Sequence, residues 1–299
     1  MQAVTFKARC TWGLLWLLGA VPLPLLQGMG AGFGHLARWL KLREAQVARR
    51  NIDLCLPHRT EAERARLWRQ NLAETGRTLT ETLRFWTRPA AVNLRRVVEL
   101  EGEALLDAAL AAGRGVIIAA PHLGNWELLN QWLASRSPLV IVYRPPRMEW
   151  MDAVIRRARD QPGVTQVRAE ASGVRTLFKR LKEGGMVGIL PDQQPKRGDG
   201  VFAPFFGIPA LTMSLVPRLA NKTGAPVLMA FAERLPGHAG FRIRIRPTPA
   251  AIGGLDAEPA ATALNATIEA CIALAPAQYQ WSYKRFTIRP EGEEPIRYD

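Results

Sequence analysis

Cysteine is scarce in this chain of 299 residues, and it is not arranged for a structural role. Cys10, Cys55 and Cys271 are odd in number and far apart, which indicates neither a disulfide framework nor a metal site. This usage fits a reducing compartment best. The sequence also lacks a Walker loop and a His-Glu-x-x-His zinc helix, and Glu170 stands where a Gly-x-Ser-x-Gly elbow around Ser172 needs its first glycine.

Acidic residues are few relative to basic ones. The chain has 26 Asp and Glu against 40 Lys and Arg, which gives a net charge of +14. A chain with this net charge is expected to bind polyanions such as nucleic acid, anionic lipid headgroups or acidic proteins. The positive charge is dispersed and rich in Arg, and the sequence has no zinc-finger spacing and no RNA-binding aromatic signature. The composition therefore favours a membrane surface, and no nucleic-acid partner is expected.

Charged residues are missing from residues 10–34. About 20 apolar residues span a bilayer, so this stretch is long enough. Pro22 and Pro24 interrupt it, however, and the helix expected from about residue 11 to residue 21 covers only half a span. Three interpretations stay open, namely a transmembrane anchor, an interfacial or re-entrant segment, and a cleaved signal peptide. We predict a hydrophobic membrane-anchoring segment with basic flanks over residues 1–43.

The rest of the chain suits one large domain, predicted over residues 44–289, with a loose tail over 290–299. Its helical lead-in reaches about residue 95, and a capping box is expected from Thr60 and Glu63. Strands are predicted at 97–100, 116–120, 139–143, 186–190, 227–231 and 241–246. Helices are predicted at 103–112, from 125 onward, and at 150–160, 173–182, 213–223 and 255–274. The alternation predicts an α/β sheet with helices on both faces.

The stretch GVIIAAPHLGNWELLN, residues 115–130, predicts a buried strand, a tight loop and a helix that begins at Asn125. His122 lies in the loop and Glu127 in the first helical turn, so the carboxylate can turn back to the imidazole. A neutral His held by a carboxylate is a general base. Because no Ser or Cys lies beside His122 in the sequence, its proton is expected to come from a substrate hydroxyl. On this motif alone, a loop His before an acidic first turn is an equal alternative.

Neighbouring motifs extend this pattern to a family. PHLGNWE resembles the His, four residues, acidic motif of the glycerolipid-type acyltransferases. With YRP, LPDQQP, VFAPFFG, LANKTGAPV and QYQWSYKRF further on, the chain is similar to the lipid A late acyltransferases, which are lauroyl and myristoyl transferases. The match runs in order from about Arg49 to Phe286. Residues 190–194 read LPDQQ where the glycerol-3-phosphate branch carries a Phe-Pro-Glu-Gly-Thr-Arg block, which favours the lipid A branch.

The resemblance implies a glycerolipid acyltransferase-like fold, with a central mixed sheet flanked by helices and a mostly helical N-terminal region. It implies acyl transfer from acyl-acyl carrier protein, itself acidic, to a hydroxyl of an anionic glycolipid, a lipid A precursor. The expected location is the cytoplasmic face of the inner membrane, and no cofactor or metal is implied. Because the donor is cytosolic, a signal peptide is the least favoured N-terminal interpretation. The alternatives are another membrane lipid as acceptor, such as a lysophospholipid or ornithine lipid, and a non-catalytic anionic-lipid-binding relative.

The candidate substrate-binding residues lie at strand ends and in the family motifs. Arg144 and Asp192 follow predicted strands, as His122 does, and sites of α/β sheets lie at such ends. Arg144 is expected to bind phosphate through its planar fork, and Asp192 to bind a sugar hydroxyl or pair with an Arg. Further contacts are expected from Asn125, Lys284, Arg285 and one of Arg156, Arg157 and Arg159, with Arg159 favoured. The apolar stretch 201–208 is expected to be an acyl-chain wall, a membrane-facing loop or ordinary core.

Overall fold

The computed structural model describes residues 6–146 and 148–298. Residues 1–5 of the predicted anchoring segment and residue 299 of the predicted tail lie outside these ranges. A layer of N-terminal helices packs on an α/β unit built around a seven-stranded sheet. This arrangement confirms the predicted α/β class, with helices on both sides of a mixed central sheet and a helical region before it.

The helical lead-in consists, within the described residues, of α1 (Phe6–Leu18), α2 (Leu23–Trp39), α3 (Arg43–Cys55), α4 (Glu61–Thr87) and α5 (Ala90–Leu94). α4 begins with the predicted capping box, because Thr60 and Glu63 each accept a hydrogen bond from the other's main-chain N–H. Leucines on two faces of this helix differ in their burial. Leu67 and Leu72 are buried, whereas Leu79 is 65% exposed.

α1 and α2 meet at a bend of 111°. Neither helix alone, among the described residues, is long and apolar enough to cross a bilayer, and only the bent pair reaches that length and composition. Pro24 lies in the first turn of α2, where a missing N–H leaves no hydrogen bond unmade. The interruption expected at the two prolines is therefore confirmed, while the membrane-anchoring segment stays a prediction.

The glycines of α2 form a close helix–helix contact. Gly30 and Gly34 lie against α4, and a Cβ on Gly76 of α4 would stand 1.9 Å from the carbonyl oxygen of Gly30. The opposite face of α2 carries large exposed apolar side chains, namely Leu25, Met29, Phe33, Leu36 and Trp39. α2 therefore runs antiparallel along α4 and turns an apolar face outward.

The strands are β1 (Val97–Glu101), β2 (Val116–Ala119), β3 (Leu139–Tyr143), β4 (Val164–Arg168), β5 (Met186–Ile189), β6 (Gly200–Phe205), β7 (Ile208–Met213), β8 (Val227–Arg234) and β9 (Phe241–Pro247). The remaining helices are α6 (Glu103–Ala111), α7 (Trp126–Arg136), α8 (Glu149–Ala158), α9 (Ala171–Lys182), α10 (Leu215–Thr223) and α11 (Ala257–Leu274). The order in the main sheet is β1-β9-β8-β2-β5-β3-β4. Neighbours are parallel except β8 and β9, so the sheet is mixed.

The centre of the sheet is formed by β2 and β5, whose residues are all buried. Their alternate side chains enter two separate apolar clusters, one on each face of the sheet. Ile117 and Val187 belong to one cluster, and Ile118 and Met186 to the other. Burial on both faces explains why these strands read as unbroken apolar runs in the sequence.

Three strands were absent from the sequence prediction. β4 is a short edge strand, and β6 and β7 form an antiparallel hairpin outside the main sheet. The hairpin contains the apolar stretch 201–208. Its Phe205 is 2% exposed and lies in the core, while Asn265 of α11 donates a hydrogen bond to the carbonyl of Pro204. The core interpretation of this stretch therefore holds at Phe205.

The C-terminal tail is less loose than predicted. Residues 290–298 form no helix or strand, yet Tyr298 is buried. Its hydroxyl donates to Asn51 Oδ1 at 2.8 Å and accepts from the Phe286 N–H at 3.2 Å. The tail thus folds back onto α3, because a buried tyrosine hydroxyl needs partners that this surface supplies.

Candidate active site

The register of two central strands brings His122 and Asp192 together. β2 and β5 run parallel, and Ala119 pairs with Ile189 at their carboxyl ends. His122 follows Ala119 by three residues, and Asp192 follows Ile189 by three residues. Both therefore lie at the same edge of the sheet. Ligand sites of α/β sheets lie at this edge. The sequence prediction that both residues follow strand ends is confirmed.

The loop that carries His122 is fixed by its neighbours. Gly124 has a φ of 66°, and a Cβ there would lie 2.0 Å from the Ala232 carbonyl oxygen, so this turn requires glycine. The N–H of Gly124 donates to the Gln278 carbonyl at 3.1 Å, and that of Gln280 donates to the His122 carbonyl at 2.9 Å. The loop is therefore held between β8 and the segment 278–280.

Asp192 holds His122 through two hydrogen bonds. Nδ1 of the imidazole lies 2.8 Å from Oδ1, and the main-chain N–H of His122 donates to Oδ2 at 2.9 Å. Burial raises the pKa of Asp192, but the charge of His122 and its hydrogen bonds outweigh burial and bring that pKa below its usual value. The ionised carboxylate accepts the Nδ1 proton, so Nε2 of the neutral ring is left as an acceptor.

This geometry corrects the predicted orientation of His122 by Glu127. Glu127 does lie in the first turn of α7, but its carboxylate faces Arg159, with both oxygens bonded and Arg159 Nε 3.1 Å from Oε2. Burial alone would lower the pKa of Arg159, but the charge and hydrogen bonds of Glu127 outweigh burial and raise that pKa above its usual value. The helix points Glu127 toward the end of α8, whereas strand register places Asp192 directly at the imidazole.

The second imidazole nitrogen faces a glutamine. Nε2 of His122 lies 3.3 Å from Gln193 Nε2, which also lies 3.2 Å from Gln280 Oε1. The ring packs edge-on against Trp126, with 5.1 Å between centroids, and the His side chain keeps 15% of its surface exposed. A hydroxyl that displaced the Gln193 amide would therefore meet a nitrogen ready to accept its proton.

Tyr279 completes the surroundings of Asp192. Burial first, then the charge of the neighbouring Asp192, raise the pKa of Tyr279 well above its usual value. The hydroxyl of Tyr279 thus stays protonated. Sequence reasoning missed Tyr279, Gln193 and Gln280 as site residues. The available signal was their place inside two of the family motifs, LPDQQP and QYQWSYKRF.

Asn125 is buried and has a structural role, which corrects its predicted contact with substrate. Its Oδ1 accepts from the Leu128 N–H at 3.1 Å and so caps α7, as expected of an N-cap. Its Nδ2 donates to Glu81 Oε2 at 2.9 Å. The fully buried Glu81 also accepts from Gln27 of α2 and from Arg234 of β8. This network fixes the start of α7 close to His122.

Arg285 is also unavailable to a phosphate as the chain is folded. It is 3% exposed, and its guanidinium donates to the Leu211 carbonyl at 2.7 Å and to Thr212 Oγ1 at 3.0 Å. Lys284 points elsewhere, with Nζ 5.3 Å from the centre of the Tyr298 ring. Packing of the last segment against the hairpin explains the position of Arg285, and the tail at Tyr298 explains that of Lys284.

The other predicted phosphate contacts differ in exposure. Arg144, Arg156 and Arg157 are exposed, whereas Arg159 is partly buried; Arg157 also lies over the Trp12 ring of α1 at 4.5 Å. Arg159 is the member of its group that is bonded to Glu127, on the helix that follows His122. Its binding of phosphate, like that of Arg144, stays a prediction.

The arrangement can remove a proton from a hydroxyl. A buried carboxylate fixes one nitrogen of His122 and leaves the other able to accept. No Ser or Cys side chain of the described residues is hydrogen-bonded to the imidazole, so the hydroxyl would belong to a substrate. Nor do His, Cys, Asp or Glu side chains of the described residues form a group of three able to hold a metal ion. A base of this kind at the carboxyl edge of a mixed sheet suits an acyltransferase that activates its acceptor directly.

The chain belongs to the family of bacterial lipid A biosynthesis acyltransferases, whose sequence profile matches residues 5–287. The lipid A biosynthesis lauroyltransferase of Escherichia coli (strain K12) is 30% identical over 295 residues, 96% of this chain and 94% of that protein. The palmitoleoyltransferase of the same strain is 31% identical over 290 residues, with the same coverage. A phosphatidylinositol mannoside acyltransferase of Mycobacterium tuberculosis (strain ATCC 25618 / H37Rv) is 32% identical over 166 residues, 53% of this chain and 51% of that protein. The predicted family is confirmed, and the protein is an acyltransferase.

Proposed function

We propose that this enzyme transfers a fatty acyl chain from acyl-acyl carrier protein to a hydroxyl of a lipid A precursor at the cytoplasmic face of the inner membrane. His122 is the general base and Asp192 the residue that orients it. The observation that carries the proposal is the pair of contacts at the imidazole, Nδ1 to the buried Asp192 and Nε2 toward the replaceable Gln193 amide.

The reaction follows from these contacts. Nε2 of His122 takes the proton of the acceptor hydroxyl as its oxygen attacks the thioester carbonyl. The carbon–sulfur bond then breaks, and the thiolate of the carrier protein receives the proton from the imidazolium. The products are an ester and a free thiol. Asp192 stabilises the imidazolium that forms in between. We infer that main-chain N–H groups at the start of α7 stabilise the oxyanion.

The charge distribution supports an acidic donor protein. An open cleft of about 850 Å³ runs along α4 to the segment 275–278. Its lining includes Arg59, Arg66 and Arg69, none of which is paired with a carboxylate among the described residues. The segment that forms one wall continues to Gln280, which bonds to His122. A carrier protein docked here would lie next to the loop that holds the base.

The acceptor assignment rests on the relatives and on the apolar surface. Two relatives of nearly full length are lipid A acyltransferases of different acyl specificity. The exposed apolar faces of α1 and α2 suit insertion into one leaflet, where a glycolipid acceptor resides.

The test is transfer by the purified enzyme, with acyl-acyl carrier protein and a lipid A precursor as substrates. His122→Ala should lower the rate by at least the ~10² to 10⁴ that a positioned base contributes. Mass spectrometry of the lipid product identifies the acyl chain and the acceptor. Wild-type-like turnover by His122→Ala would exclude the base. Transfer to a lysophospholipid or an ornithine lipid, but not to the lipid A precursor, would replace the acceptor and keep the mechanism.

A further inference from the structure

The end of α4 carries arginines that have no acidic partner. Arg84 lies in the last turn of this helix, Arg88 is the residue directly after it, and Arg96 follows α5 close to Arg84. Across residues 6–146 and 148–298, no carboxylate lies within 4.0 Å of any of these three guanidinium groups. In contrast, arginines of β9 are all paired with Glu. We refer to Arg84, Arg88 and Arg96 as the α4 arginine cluster.

The cluster is unsatisfied in two ways. Burial, followed by the charges of Arg96 and Arg88, lowers the pKa of Arg84, which shows that like charges are crowded here. In addition, the Nε atoms of Arg84 and Arg88 are buried and have no hydrogen-bond partner in the described structure. A buried donor without an acceptor is unfavourable. A bound anion would offset the crowded positive charge of the three guanidinium groups.

The neighbours of the cluster are the apolar N-terminal helices. Arg88 donates to the Trp16 carbonyl and lies over the Trp16 ring at 4.5 Å, and Arg84 donates to the Val21 carbonyl at 3.4 Å. These carbonyls lie at the end of α1 and at the bend before α2. Leu14, Leu17 and Leu25, on the same two helices, are each more than half exposed. The anion that reaches the cluster therefore meets an apolar surface beside it.

We propose that the α4 arginine cluster binds the phosphate of an anionic phospholipid headgroup, whose acyl chains lie against the exposed side chains of α1 and α2. The inference rests on the membrane association in the proposed function and adds where and how the lipid is held. Arg forks match phosphate oxygens, and an apolar helical face enters the headgroup–acyl boundary. The site is separate from the acyl-transfer site, because none of the three arginines contacts His122, Asp192 or Gln193.

The experiment is flotation of the full-length protein with vesicles of phosphatidylcholine, alone or with phosphatidylglycerol. The test variant is Arg84→Gln/Arg88→Gln/Arg96→Gln. The matched control is Arg59→Gln/Arg66→Gln/Arg69→Gln, which removes the same charge from the other end of α4. The test variant should bind phosphatidylglycerol vesicles at least about tenfold more weakly than the control, since about 1 kcal/mol per cation at a membrane surface is roughly fivefold each.

Equal loss in the two triple variants would mean that dispersed charge suffices, and it would overturn the site. No loss in the test variant would do the same. If wild-type protein ignores anionic vesicles altogether, the membrane association of the proposed function fails and the inference with it. If circular dichroism shows that the triple variant is misfolded, vesicle binding by the single variant Arg96→Gln tests the site instead. Its side chain makes no hydrogen bond among the described residues, and it should still weaken binding severalfold.

A last arm separates a lipid headgroup from a free phosphate. Thermal unfolding of the wild type is followed with short-chain phosphatidylglycerol and with inorganic phosphate at equal ionic strength. The lipid should raise the melting temperature in the wild type and the control, and the test variant should lose that shift. Equal protection by inorganic phosphate, lost in the test variant, would show a phosphate site and overturn the lipid assignment.

Discussion

Asp192 controls the protonation of His122 through its position at Nδ1. Asp192→Asn keeps the shape of the side chain but can present an N–H to Nδ1, which shifts the proton to Nε2 and removes the acceptor. We expect transfer to fall by about 10² to 10⁴, with little change in donor binding. Single-turnover measurement of product ester separates the two effects. Asp199→Asn is the control, because Asp199 lies exposed in the turn before β6.

A fall of less than about threefold in Asp192→Asn, with folding intact, would contradict this role, since a positioned base contributes orders of magnitude. In that event Glu127 would have to leave Arg159 and approach His122 when substrate binds. Glu127→Gln would then lower the transfer rate more than Asp192→Asn does. Comparison of the two rates therefore shows which carboxylate orients His122.

The pair formed by Glu127 and Arg159 is expected to act as one unit. Both side chains are largely buried, so removal of either leaves a charge without its partner. Breaking such a pair costs about 3–5 kcal/mol. Denaturant unfolding in detergent should show that loss of unfolding free energy for Glu127→Gln and for Arg159→Met. The double variant should be destabilised by much less than the sum of the two single losses. Additive losses would show that the two side chains do not stabilise each other.

Local sequence was enough to place His122 and Glu127, but not to pair them correctly. The partner of the imidazole lies 70 positions away and arrives through strand register. Spacing along the chain carries no information about which parallel strands are neighbours. The same limit applies to Arg285, because its basic character suggested a phosphate contact while its burial depends on the hairpin of β6 and β7. Residue type gave the chemistry, and topology decided which residues use it.

At the scale of elements, the contact of α2 with α4 decides how the N-terminal region is held. A Cβ at Gly76 would collide with the main chain of Gly30, so Gly76→Ala should separate the helices and destabilise the fold by about 1–3 kcal/mol or more, as overpacking does. Gly28→Ala is the matched control, since nothing lies within 4 Å of its added Cβ. It should be neutral or stabilising by up to about 1 kcal/mol. Thermal unfolding of both variants provides the measurement.

If Gly76→Ala proved as stable as Gly28→Ala, α2 would not be packed on α4 as described. The sequence predicted only that Pro22 and Pro24 interrupt the uncharged stretch. The prolines do mark the bend, but the glycines at positions 30 and 34 lie on one face of α2 and let it approach α4. Glycine in a helix is ambiguous until its neighbour is known.

The regular core was predictable for a simpler reason. Strands β2, β3 and β5 are short apolar runs buried on both faces, and their bounds agree with the sequence within a residue or two. β4 escaped because it lies at an edge, and its sequence VTQVR mixes polar and apolar residues. Alternation of apolar and polar residues over only five positions is weak evidence for a strand. An edge strand also needs fewer apolar residues than a central one.

At the scale of the whole molecule, some of the basic side chains are paired with carboxylates and others are not. Part of it is paired in the ladder of Arg and Glu side chains where β9 lies between β1 and β8. The unpaired part includes the two ends of α4, one beside the cleft at residues 275–278 and the other beside α1. The two anionic partners proposed above, the carrier protein and the phospholipid headgroup, would each bind at one of these two ends. This division follows from the fold and was not visible in the composition.

The buried thiol of Cys271 should limit stability at alkaline pH. Burial raises its pKa from 9.0 to about 11, with a smaller opposing effect of Arg246. Above pH 9 the unfolded chain loses the proton while the folded chain keeps it, so the stabilisation present below pH 9 is lost as pH rises toward 11. The slope should reach about 1.4 kcal/mol per pH unit. Cys271→Ala should remove the contribution of Cys271 and leave that of Cys55, a second buried thiol whose pKa burial also raises, whereas Ile268→Val on the same helix should lower stability equally at every pH. Denaturant titrations between pH 8 and pH 11 measure it, and an unchanged slope in Cys271→Ala would assign the alkaline loss to other groups.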